Sequence, residues 1–85
     1  MNEPVNHHYF EVYPNPAVSE TTVEIQSAVG EWTLSLIGID GRIVSDTNGR
    51  MGGKVAINTS KYAKGFYMIK LTTEENNYYK RLLIQ

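Results

Sequence analysis

Few side chains in this sequence are both chemically capable and suitably spaced. Its two histidines, His7 and His8, are adjacent. Neighbouring side chains of an extended segment point to opposite faces, so the pair cannot easily close on one metal ion. Asp40 and Asp46 lack the alternating carboxylates of a calcium loop. Gly49-Arg50-Met51-Gly52-Gly53-Lys54-Val55 has the glycines and lysine of a phosphate-binding loop, but the glycine spacing is one residue short. No Ser or Thr follows Lys54 and no helical pattern comes after it, so the stretch reads as a plain loop. Asn58-Thr59-Ser60 matches a glycosylation sequon, a three-residue pattern of low specificity. There is no cysteine for redox chemistry, a disulfide or a thiolate zinc site. The expectation is a protein that is not an enzyme and that takes no cofactor and no metal.

Aromatic side chains offer a second kind of chemistry, because Tyr9, Tyr13, Trp32, Tyr78 and Tyr79 could form a stacking platform for sugars or bases. In a domain this small, large rings are needed inside, each burying about 150 to 250 Å². Most of the five are expected in the core. Eight Lys plus Arg against nine Asp plus Glu give a formal charge of −1, with neither sign gathered in a block. Electrostatic binding to nucleic acid or to an anionic membrane is therefore not expected. No run approaches the roughly 20 apolar residues of a membrane span.

The elements that must carry these residues follow from composition and period. Val, Ile and Thr occur seven times each but Leu five times and Ala four, a bias toward pleated, half-buried backbone. The hydrophobic period is two almost throughout. Tyr9 to Tyr13 reads as a strand stopped by Pro14-Asn15-Pro16, whose prolines lack backbone donors. Strands are then expected at Thr22 to Gln26, at Glu31 to Ile37, and at Arg42 to Asp46 beyond an Asp40-Gly41 turn. Asn48-Gly49 and Gly52-Gly53 read as a flexible loop before a short strand at Val55 and Ile57. A polar crossover from Asn58 to Lys64 leads to Phe66 to Thr72, and Tyr78 to Ile84 follows the loop Glu74 to Asn77. Eighty-five residues make one domain, 9 to 85, preceded by a polar linker, 1 to 8, that trails from something upstream.

Seven short strands with turn signals at roughly 8 to 12 residue spacing predict an all-β, immunoglobulin-like antiparallel β-sandwich. Trp32, Leu34 and Leu36 should face Tyr67, Ile69 and Leu71 across it. Tyr67 stands where a tyrosine corner sits, with its hydroxyl bonded to backbone a few residues upstream; the alternative is a plain core tyrosine with its hydroxyl at the rim. Leu82-Leu83-Ile84 places apolar side chains on both faces of the last strand, so either both faces are covered or one is available to a partner.

Four segments match a known pattern in order and spacing: Val12-Tyr13-Pro14-Asn15-Pro16-Ala17, Asp40-Gly41-Arg42-Ile43-Val44, Gly65-Phe66-Tyr67-Met68-Ile69-Lys70, and Lys80-Arg81-Leu82-Leu83-Ile84-Gln85. Together, over about residues 10 to 85, they resemble the C-terminal sorting domain of the type IX (Por) secretion system of Bacteroidetes. The family usually has an apolar residue where Tyr62 stands and Asp or Asn where Gly38 stands, differences that bear on local loop geometry.

The resemblance implies a non-catalytic secretion signal. Such domains end secreted cargo such as gingipain-type proteases and adhesins, which cross to the periplasm by an ordinary signal peptide. The type IX translocon then recognises the domain at the outer membrane, the cargo reaches the surface or the extracellular space, and a cell-surface sortase typically removes the domain. Lys80, Arg81, Leu82, Leu83, Ile84 and Gln85 are the expected recognition element, read by strand addition to a terminal edge strand. Pro14, Asn15, Pro16, Asp40, Gly41, Arg42, Gly65 and Tyr67 are expected to serve as scaffold. The rival function is an adhesive or carbohydrate-binding module of a surface protein.

Overall fold

Seven strands and one short 3-10 turn (Thr59–Lys61) make up the computed structural model, which describes residues 10–26 and 30–85. The strands are β1 (Phe10–Tyr13), β2 (Glu20–Ile25), β3 (Glu31–Ile37), β4 (Ile43–Arg50), β5 (Gly53–Asn58), β6 (Gly65–Thr73) and β7 (Asn77–Ile84). They form a three-stranded sheet, β1-β2-β5, and a four-stranded sheet, β4-β3-β6-β7, with every pairing antiparallel. This is the strand order of an immunoglobulin-type sandwich whose fourth strand has joined the edge of the larger sheet. His7, His8 and Tyr9 lie outside the described residues.

Alternation along each strand decides what is buried. Leu34, Leu36, Ile69, Leu71, Leu82 and Ile84 of the larger sheet close against Phe10, Val23 and Ile25 of the smaller, with Val12, Val55 and Ile57 partly buried beside them. Each fully buried aliphatic side chain contributes about 1.5 to 3 kcal/mol, so this one layer supplies the stability of a domain without disulfides. The expected opposition of Trp32, Leu34 and Leu36 to Tyr67, Ile69 and Leu71 across the sandwich is not what is found. β3 and β6 are neighbours in one sheet, where Leu34 pairs with Leu71 and Leu36 with Ile69 side by side. Alternation gives the face of a strand and not its sheet, because both sheets present the same pattern to the core.

β4 extends past Asp46 through the expected loop at Asn48-Gly49. Its core-facing positions, Ser45, Thr47 and Gly49, carry no large apolar side chain, so main-chain pairing with β3 sustains it rather than burial. Gly49 is required there, since a Cβ would overlap the ring of Trp32. Only Met51 and Gly52 then separate β4 from β5, so the loop-like stretch ends one edge strand of the larger sheet and carries the chain across to the edge strand of the smaller.

Candidate recognition face on the four-stranded sheet

The outward side chains of the four-stranded sheet fall into cross-strand rows. Two rows are polar: Asn48, Thr33, Thr72 and Asn77, then Asp46, Ser35, Lys70 and Tyr79. The Thr33 hydroxyl donates to Asn48 Oδ1 at 2.9 Å and the Ser35 hydroxyl donates to Asp46 Oδ1 at 2.7 Å. The next two rows change character: Ile43, Ile37, Met68 and Arg81, then Phe66 and Leu83. Phe66 is 51% exposed, so this half of the face presents apolar surface to solvent. The Arg81 guanidinium lies over the Phe66 ring, 5.5 Å from its centroid, a stacked geometry that favours a cation on an aromatic face.

β7 divides the expected recognition element by face. Leu82 and Ile84 point inward and are buried. Lys80 points the same way and places its ammonium over the ring of buried Phe10 at 5.7 Å, its stem covering the edge of the core. Arg81 and Leu83 belong to the outer face. The apolar run Leu82-Leu83-Ile84 therefore serves two surfaces, the core on one side and the Phe66 row on the other.

The main-chain edge of β7 is occupied where strand addition was expected. Asn15 Nδ2 donates to the Arg81 carbonyl at 2.8 Å, and the Leu83 amide donates to Asn15 Oδ1 at 3.1 Å. The Ala17 amide donates to the Leu83 carbonyl and the Gln85 amide donates to the Ala17 carbonyl, both at 2.8 Å. Ala17, completely buried, bridges Ile84 in parallel. Four consecutive outward groups of the strand are thus satisfied by residues 15–17. Pro14-Asn15-Pro16 thus does more than terminate β1; it also closes the edge of β7, a common need of exposed strands. The available signal was an amide side chain, able to donate and accept at once, between two prolines that cannot donate.

The other motif residues shape turns. The hydroxyl of buried Thr21 donates to the Pro14 carbonyl at 2.8 Å. Asp40 Oδ1 accepts from the Arg42 amide at 3.0 Å while Gly41 takes φ +87°, which closes the β3–β4 hairpin. Gly65 starts β6 at φ +141°. The Tyr67 hydroxyl donates to the Ala63 carbonyl at 2.6 Å, the bond of a tyrosine corner. Tyr62 is half-buried, with its ring 6.3 Å from that of Tyr67.

Among the described residues, the aromatic set does not assemble into one platform. Of the four described rings, Trp32 is buried and Tyr78 packs partly buried against the core, whereas Tyr13 and Tyr79 are exposed. Tyr13 lies on the outer face of the smaller sheet and Tyr79 on that of the larger, with the sandwich between them. Tyr13 donates to Glu24 Oε1 at 2.7 Å, and this bond, with lesser effects of burial and the charges of Glu24 and Glu11, raises its phenol above the usual 10.0. Among the described residues, no three His, Cys, Asp or Glu side chains gather closely enough to hold a metal ion.

The family model for the secretion system C-terminal sorting domain matches residues 11–85. The chain belongs to this family. It is therefore a C-terminal sorting signal of type IX secretion. No curated relative matches the chain. In this sorting domain the matched span runs from within β1 to Gln85, so it includes both the Asn15 segment and the strand edge that it closes.

Proposed function

We propose that the domain carries an upstream cargo through the periplasm to the type IX translocon, is read there on the outer face of β7, and is then removed by a cell-surface sortase. The observation that carries the reading of β7 is the division of its residues. Lys80, Leu82 and Ile84 are committed to the core, and the main-chain edge from Arg81 to Gln85 is taken by residues 15–17. What a receptor can reach without unfolding the strand is the side-chain surface of Arg81 and Leu83 beside Phe66. Recognition then depends on side chains, and strand addition would first require residues 15–17 to leave.

The test is a reporter fused between a signal peptide and residues 1–85 in a bacterium with a type IX system. The intact fusion should reach the medium or the cell surface. Arg81→Ala is the informative substitution, because Arg81 is exposed, whereas Lys80→Ala would also uncover Phe10. Export of Arg81→Ala should fall further than its melting temperature. Full export of this variant would remove Arg81 from the recognised surface, and a periplasmic intact fusion would overturn the sorting reading in that host. Sortase removal is read as loss of the domain from surface-exposed reporter.

A further inference from the structure

A groove of about 600 Å³ opens where the β3–β4 hairpin meets the start of β6. Its floor includes Val44 and Phe66, 38% and 51% exposed. Gly38 and Gly65 contribute no side chain, which keeps the floor open. Arg42 and Lys64 stand in its lining, and Arg81 reaches the Phe66 ring from the adjoining row. Asp40 offsets only part of this charge, its Oδ2 lying 3.9 Å from Arg42 Nε. Among the described residues, no carboxylate pairs with Lys64. The opposite end of the same sheet has the reverse sign: Arg50 is bound to Glu31 at 2.8 Å, leaving Glu74 in the depression beside them.

We propose that this groove docks a protein segment that carries carboxylates beside apolar side chains. Apolar groups of the segment cover Val44 and Phe66, and its carboxylates meet Arg42, Lys64 and Arg81. Complementary charge around an apolar centre sets selectivity and orientation more than raw affinity. A lipid surface fits less well. Membrane-binding patches gather roughly four to eight basic residues, whereas here three cations surround a concave site with Asp40 among them. The proposal rests on the sorting reading only for the source of the segment, a component of the export machinery.

The test uses isotope-labelled 85-residue chain and two capped pentapeptides, one alternating leucine with aspartate and the other leucine with lysine. Amide shifts should map to Gly38, Gly65 and Phe66, with the aspartate peptide binding about tenfold more tightly, a factor within reach of rim charges. Arg42→Glu combined with Lys64→Glu should reverse the preference. Both side chains are exposed, so folding is retained. Absence of binding, equal binding of the two peptides, or shifts elsewhere would overturn the groove. So would stronger binding to phosphatidylglycerol vesicles than to the aspartate peptide, in favour of a membrane. A peptide preference with no export of the intact fusion would count against sorting alone, and export without the preference against the groove alone.

Discussion

Replacing Asn15 with alanine removes two hydrogen bonds from the edge of β7 and leaves the core untouched. Asn15 is exposed, so each bond falls in the lower part of the net range for a solvent-competed interaction, about 0.5 to 1 kcal/mol, and the pair contributes about 1 to 2 kcal/mol. For a domain of this size, each kcal/mol moves the melting temperature by about 4 to 8 °C, so a fall of about 5 to 15 °C is expected by circular dichroism. The two Ala17 bonds remain, so the end of β7 is loosened rather than released. The local signature is therefore sharper than the global one. The Leu83 amide has Asn15 Oδ1 as its acceptor, and its hydrogen exchange should accelerate in Asn15→Ala well beyond what the loss of global stability accounts for. Asn15→Asp keeps that acceptor but turns a carboxylate oxygen toward the Arg81 carbonyl. It should protect the Leu83 amide while still lowering stability. Unchanged Leu83 exchange in Asn15→Ala, or a melting temperature within about 1 °C of the parent, would refute the closure of this edge by residues 15–17.

Three further outcomes follow from burial and bonding. Leu34→Ala should cost about 2 to 5 kcal/mol in thermal or denaturant melts, because Leu34 is 4% exposed between Leu71 and β4. Thr33→Ala, on the outer face, should cost less than about 1 kcal/mol, and the opposite ranking would invert the faces of β3. Gly49→Ala should destabilise by about 1 to 3 kcal/mol through overlap with the only tryptophan, with a change in its fluorescence as the direct reading. Tyr13 should ionise above 10.0 in a spectrophotometric titration, and Glu24→Gln should bring it down. Because the folded phenol holds its proton more tightly, the Tyr13 to Glu24 bond contributes stability below the unfolded value that is lost as pH rises through the folded one. The stability difference between parent and Glu24→Gln should accordingly shrink at alkaline pH.

The faces of the strands were legible because burial imposes a period of two. Val23 and Ile25, Leu34 and Leu36, and Ile69 and Leu71 are inside, as their alternation requires. Tyr67 was legible for a different reason: its hydroxyl is satisfied four residues upstream, within one local segment. The family was legible because four motifs keep their order and spacing along the chain. The length of β4 was not, since an edge strand held by its main chain needs no apolar alternation and its residues resemble a loop. Nor was the sheet to which each strand belongs, because pairing is chosen among faces that look alike in sequence.

The candidate recognition face was decided by tertiary structure for the same reason. Asn15 lies 66 residues from Arg81 and 68 from Leu83. Phe66 faces solvent as its alternation requires, but only the register of β6 against β7 sets it beside Leu83, with the guanidinium of Arg81 over its ring. Hydrophobic period is a property of neighbouring residues, so the chain declares it locally. Edge closure and charge around a groove are properties of residues brought together from distant segments, and they exist only once the two sheets have closed on their shared core.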